Sequence, residues 1–284
     1  MLEVLNARAT QTAGRKRRDA LLQGRCKTDT GRFRYRKGLR MGEEAITPLS
    51  VGSGAFLSWL AGWYANRKSV SLQHDLFSSG DDAESVAVIV VDLLVGFCSE
   101  GPLASPRVGA LGLKVAEFLT RVHAAGLRHI LLAADAHPPN SPEFASFPPH
   151  CIVGTREAEL IPELTELPFA SELVTISKRS LAIGMEEEFG RWQQAHPEVR
   201  TWIIVGDCTD LCVYHAAMHL RLQANARGTE VSVVVPADLV DTYDLPVETA
   251  LQVGALPHDA ELLHRLFLYH LALNGVRVVR EIEA

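Results

Sequence analysis

The sequence predicts an α/β fold: a parallel sheet of about six strands, covered by helices on both faces in a three-layer sandwich. Three observations carry that expectation. Apolar runs of strand length recur, each nearly continuous rather than alternating, as strands buried on both faces require. Segments of helix length separate several of them. The chain is also large enough for a sizeable core, with 284 residues of which 47% are hydrophobic and 22% charged. No apolar run approaches the length of a membrane-spanning helix.

The first forty residues stand apart from the rest. They hold twelve Lys or Arg against three Asp or Glu, a balance of +9, whereas the remainder holds sixteen against thirty-one, or −15. RKRR at 15–18 and RFRYRK at 32–37 dominate this head. It reads as an arm for nucleic acid or a membrane surface, as a targeting peptide, or as upstream sequence ahead of a true start at Met41. The third reading is favoured, because no aromatic platform or amphipathic pattern supports the others. In each case residues 1–40 are expected to be poorly ordered and outside the chemistry. Residues 41–83 form an N-terminal extension. Within it AFLSWLAGWYANR sets Phe56, Trp59, Leu60 and Trp63 on one face of a short helix, which is expected to dock on the core. SSGDD at 78–82 reads as a linker into a sheet domain covering residues 84–284.

The sheet elements follow in order. VAVIVVD (86–92) is the first strand, and SPRVGALGLKVAEFLTRVHAAG (105–126) is a helix opened by Ser-Pro and closed by Gly126. HILLAAD (129–135) is the second strand, followed by a proline-rich loop. ELVTIS (172–177) and TWIIVGD (201–207) are the third and fourth strands. LCVYHAAMHLRLQANA (211–226) is a helix, EVSVVVP (230–236) the fifth strand, and ELLHRLFLYHLALNG (261–275) an apolar helix with a Gly stop, buried in the fold or in a subunit interface.

In such a sheet ligands bind at the carboxyl ends of the strands. Those ends supply Asp92, Asp135, Lys178 (just after the third strand) and the segment Gly206 to Cys212. Cys212 opens a helix, where the positive end of the dipole is expected to lower its pKa. The strand–turn–helix corner resembles a nucleophile elbow, with backbone N–H groups placed to bind an oxyanion. Asp92 and Lys178 add an acid and a cation on the same rim, which is what a nucleophilic thiol needs. Taken one at a time, a structural cysteine, a turn-capping aspartate and a solvated lysine would explain these residues as well. The loop DAHPPNSPEFASFPPHC (135–151) supplies Asp135, His137, Glu143 and His150. Carboxylates with two imidazoles suit a divalent transition metal, although histidines in loops are mostly solvated.

VIVVDLLVGFCSEGPL, DAHPPNSPEFASFPPHCIVGT, the lysine after ELVTIS and VGDCTDLCVYHAAM occur in that order. Together they resemble the isochorismatase-like cysteine hydrolases, and PPHCIVGT followed by EAELIPEL resembles the nicotinamidase branch. The resemblance covers roughly residues 84–245 and leaves out the head and residues 41–80. It implies a catalytic triad of Asp92, Lys178 and Cys212, with oxyanion-binding amides at Cys208 and Cys212. It implies a metal site of Asp135, His137 and His150, with Glu143 placed to join directly or through water, and zinc as the expected ion. A cis peptide is implied between Asp207 and Cys208. Asp207 departs from the family, many of whose members carry an apolar residue there, so the pocket shape is open at that point. Phe97 is the candidate apolar wall for a flat substrate, with plain core packing as the other reading. The implied reaction is hydrolysis of nicotinamide to nicotinate and ammonia through a thioester. The alternatives are another amide, a carbamoyl compound or an isochorismate-like ether, or a non-catalytic protein on the same fold; intact metal ligands argue against the ether and an intact triad against the last. The expected partner is a small amide, with neither nucleic acid nor membrane, in a homo-oligomer. Five cysteines without a signal peptide suggest free thiols in the cytoplasm.

Overall fold

The computed structural model describes residues 43–77 and 83–283, with side chains from residue 52 onward. The basic head and the 78–82 linker lie outside the described residues. The main sheet has seven strands. β2 (Val86–Val91), β3 (His129–Asp135), β4 (Val174–Lys178), β5 (Thr201–Asp207), β6 (Ser232–Pro236) and β8 (Arg277–Val279) lie in the order β4-β3-β2-β5-β6-β8, and β7 (Val240–Asp241) pairs with the end of β5. All of these pairings are parallel. A small second sheet joins β1 (Val70–Ser71) to β9 (Ile282–Glu283). β7, β8 and both strands of the small sheet escape the sequence reading, since elements of two or three residues leave no periodic signal.

Each face of the sheet buries its own set of side chains. Val86, Val88 and Val90 pack with Val115, Phe118, Leu119 and Val122 of helix α2 (Leu111–Ala124). Ala87, Ile89 and Val91 face the opposite way. They pack with Phe189 of α3 (Glu187–Ala195), with Val213, Ala216 and Ala217 of α4 (Cys212–Arg227), and with Leu268 and Leu271 of α5 (Ala260–Leu273). The three-layer arrangement therefore follows from the alternation of side chains along buried strands.

Three boundaries differ from expectation. The helix expected over 105–126 is two helices, Pro106–Gly109 and Leu111–Ala124, meeting at Ala110. The third expected strand begins later, because Ala170–Glu172 form a 3-10 turn, and it runs on to include Lys178. The extension helix, α1 (Glu43–Ala65), is longer than the apolar signal suggests. It docks on α5, where Phe56, Trp59 and Trp63 surround Tyr269 with ring centroids 5.4–5.7 Å away. Among the described residues no helix is long and apolar enough to cross a membrane.

The chain runs outward from β2 to β3 and β4, then crosses back to β5 on the other side of β2. The crevice between the carboxyl ends of β2 and β5 is thus the topological switch point. Gly206 lets these two strands lie side by side. Its φ is +107°, and a Cβ there would fall 2.1 Å from the carbonyl oxygen of Val91.

Candidate active site

Asp92 follows β2 in a left-handed turn with φ +53°, a region that aspartate tolerates better than most residues. Its N–H donates to the Ala133 carbonyl at 2.9 Å. Its Oδ1 accepts the Asp135 N–H at 2.9 Å. Lys178, at the last position of β4 beside Asp135, is 1% exposed and lies between two carboxylates. Its Nζ is 2.7 Å from Asp92 Oδ2, donates to Asp135 Oδ1, and stands 3.4 Å from the Cys212 Sγ. The Asp92 charge is close enough to act on the thiol. Lys178 therefore joins the other two residues chosen from strand ends.

Burial governs the protonation states here. It pushes the Asp92 carboxyl up, as does the neighbouring Asp135 charge, and Lys178 pulls it back, leaving it at about 7. For Asp135 burial acts upward too, but Lys178 and the adjoining His137 and His150 imidazoles outweigh it and hold the carboxylate low. Burial drives the Cys212 thiol well above its usual value despite Lys178. This corrects the expectation that the helix dipole lowers it: for a sulfur this deeply buried, losing water costs a thiolate more than a helix end returns. The resting site thus holds a thiol beside a base whose pKa is close to neutral, the matching that general base catalysis requires.

The proline-rich loop closes on itself. His137 N–H donates to the Cys151 carbonyl at 3.0 Å and Val153 N–H to the His137 carbonyl at 2.9 Å, which brings both histidines beside Asp135. His150 donates its Nδ1–H to the Pro148 carbonyl at 2.8 Å, and His137 Nδ1 meets Ser141 Oγ at 3.4 Å. Both Nε2 atoms are left facing Asp135 Oδ2, at 3.3 and 3.5 Å, with Glu143 Oε1 at 3.9 and 4.0 Å from them. His137 Nε2 and Glu143 Oε1 are buried without a hydrogen-bond partner, the 3.3 Å approach to Asp135 being off axis. Orphaned buried atoms of this kind are costly. Four converging nitrogen and oxygen donors, with the histidines oriented through Nδ1, fit a divalent transition metal.

A cleft of about 490 Å³, partly open to solvent, lies over the thiol and is walled by Phe97, Phe147, Leu181, Leu211 and Tyr243. Asp207 also lines it and is 2% exposed. Burial, then the Asp92 charge, pushes the Asp207 carboxyl well above its usual range. Its Oδ2 accepts the Cys208 S–H at 3.2 Å. The 207–208 peptide is cis. Neither the Cys208 nor the Cys212 N–H donates to a backbone carbonyl among the described residues.

Sequence reasoning missed Phe147, Tyr243 and the struts under the nucleophile turn. Asp210 Oδ1 accepts the Thr242 hydroxyl at 2.6 Å, and its Oδ2 accepts from His258 Nε2 at 2.8 Å. His258 also donates Nδ1–H to the Tyr243 carbonyl at 2.8 Å and stacks on the Tyr243 ring at 3.9 Å. A second strut runs from Thr209 to His264 Nδ1 at 2.8 Å and on to Tyr64 of the extension at 3.3 Å. Phe147 was within reach, three residues before His150. Partners 32 to 55 residues from the turn carry no local signal.

Burial pushes the Asp210 carboxyl up, but His258 and Thr242 more than offset this and hold it below its usual value. A depressed folded pKa stabilises fully above the unfolded value near 3.9, and that stabilisation is lost as pH falls through the folded pKa. Asp210→Ala is expected to cost about 3 kcal/mol near neutral pH, and the gap to wild type should narrow in acid. Urea denaturation at several pH values measures both.

The arrangement, with a thiol, an aspartate and a lysine at a switch point beside a cluster of nitrogen and oxygen donors, defines a cysteine hydrolase of the isochorismatase kind. The family model for the isochorismatase domain matches residues 86–255, and the chain belongs to that family. Nicotinamidase 1 of Arabidopsis thaliana is 32% identical over 215 residues, covering 70% of this chain and 86% of that protein. Among solved structures, the pyrazinamidase/nicotinamidase of Streptococcus mutans has a TM-score of 0.56 at 21% identity, covering 69% of this chain and 100% of that one. The pyrazinamidase of Pyrococcus horikoshii, solved in complex with zinc, has a TM-score of 0.53 at 24% identity, covering 69% and 99%. Likeness at these identities shows the fold.

Proposed function

We propose that the protein is a metal-dependent cysteine amidohydrolase that converts nicotinamide to nicotinate and ammonia. The observation that carries this reading is the contact of Cys212, Lys178 and Asp92 in one aromatic-walled cleft that also receives Asp135, Glu143 and His150. The nicotinamidase relative, matched over most of its length, supports the choice of substrate.

Asp92 takes the Cys212 proton as the sulfur attacks the carboxamide carbon. Lys178 offsets the charge that passes between them and keeps Asp92 in place. The N–H groups of Cys208 and Cys212 hold the oxyanion. Asp92 then gives its proton to the departing nitrogen, ammonia leaves, and a thioester to Cys212 remains. Water attacks the thioester, losing its proton to Asp92. The intermediate collapses to nicotinate, and the thiolate recovers the proton. Phe97, Phe147 and Tyr243 wall the flat ring, and Asp207 lines the cleft in place of an apolar residue.

Asp135, His137, Glu143 and His150 would hold the divalent ion, with zinc favoured by the donor set and by the zinc complex of the structural neighbour. When bound it supplies a Lewis acid for the pyridine nitrogen of the substrate beside the nucleophile. Dialysis against a chelator is expected to abolish ammonia release and to lower the melting temperature, since a ligand bound only by the folded chain stabilises it. Zinc should restore both. Full activity in protein shown to be free of metal would contradict this role of the loop.

A further inference from the structure

A second cluster of metal-type donors lies at the opposite end of the sheet. His129 opens β3. Its neighbour across the sheet is Ala87, which in turn is paired with Trp202. Ala87 is small, and Trp192 of α3 fills the space above that row, 5.7 Å from Trp202 and edge-on to His129 at 5.4 Å. His196 caps the same helix and stacks on Trp192 at 4.0 Å. It donates its Nδ1–H to the Trp192 carbonyl at 2.8 Å, which leaves the Nε2 lone pair free. Two residues on, Glu198 brings Oε1 to 3.5 Å from His129 Nε2.

We propose that His129, His196 and Glu198 form a second zinc site, separate from the catalytic cleft. One donor atom from each lies within 4.8 Å of the others. Zinc–nitrogen bonds of about 2.0–2.1 Å place tetrahedral ligands roughly 3.3 Å apart, so closure needs side-chain movements of about 1 Å. Two imidazoles and a carboxylate leave one position for water, as suits a half-open site. The His196 hydrogen bond to a backbone carbonyl is the outer-shell contact that fixes a ligating tautomer. The His129 and Glu198 side chains are 19% and 41% exposed, so an ion can enter from solvent. The cluster lies at the amino ends of the strands. At about 3.3 Å per residue, the seven residues of β3 put it roughly 20 Å from the Asp135 end. An ion there would tie the end of α3 and the lead into β5 to the start of β3, a structural staple that needs no part in the chemistry.

The test is zinc content after equilibration with excess zinc and gel filtration, for the full chain and four variants. Wild type is expected to carry one zinc more than His196→Ala or Glu198→Gln, both of which keep nicotinamide hydrolysis. His137→Ala and His150→Ala are expected to keep that additional ion while losing the catalytic one. In cobalt-loaded protein, visible absorption that survives His137→Ala but is lost in Glu198→Gln identifies the same site. Glu198 is exposed enough for the glutamine variant to fold. Equal zinc content in wild type, His196→Ala and Glu198→Gln would overturn the proposal and leave the catalytic reading untouched. Loss of hydrolysis from wild type with the second ion present would do the reverse.

Discussion

Cys212→Ala is expected to lower ammonia release from nicotinamide by at least about 10⁴-fold, since removing a nucleophile that works with a base costs nearly all the rate those groups supply together. The fold should survive. Cys212 sits at the first position of α4 with its sulfur against Lys178, and alanine keeps the helix start. The loss should fall on kcat, because the ring is walled by Phe97, Phe147 and Tyr243 rather than by the thiol. A companion Asp92→Asn variant should be similarly inactive, since burial keeps Cys212 protonated and no other base touches it. Circular dichroism checks the fold, and a coupled ammonia assay reads the rate. Activity within tenfold of wild type in Cys212→Ala would remove the cysteine from the mechanism.

Lys178→Met is expected to damage stability as well as activity. The ammonium is buried between Asp92 and Asp135, and methionine leaves the two carboxylates facing each other without a cation. Breaking a buried ion pair by removing one partner costs about 3–5 kcal/mol, here at the carboxyl rim of the sheet. Part of that cost is expected to return as protonation of Asp92, which removes the base and therefore the activity. The fall in stability should be smaller with zinc bound, because the ion would then satisfy Asp135. Urea denaturation with and without zinc measures this. A Lys178→Met protein as stable as wild type in the absence of zinc would show that the carboxylates are not held apart by this lysine.

Much of this site was legible in the sequence, for a physical reason. Parallel strands buried on both faces must be apolar along their length, so a charged residue at the end of one is conspicuous. Asp92, Asp135 and Asp207 each follow or close such a run, whereas Lys178 closes the half-exposed edge strand. The sheet then gathers strand ends onto one rim without further instruction. The donor cluster of the proline-rich loop was legible because its members lie within sixteen residues of each other. What remained hidden depends on distance in the chain or on burial. Tyr243 reaches the cleft from a two-residue strand. His258 and His264 meet the nucleophile turn from a segment read only as an apolar helix with its approach. The protonation of Cys212 depends on how dry the pocket is, which a position at a helix start does not reveal.

The most direct test of the whole account is the product analysis of nicotinamide incubated with purified, zinc-loaded protein. Nicotinate and ammonia should appear in equal amounts, and a chelator should stop both. Absence of nicotinate, with ammonia released instead from a carbamoyl compound or another amide under the same conditions, would contradict the assigned substrate while leaving the cysteine chemistry standing. Absence of ammonia from every amide offered, by folded and metal-loaded protein, would contradict the central claim.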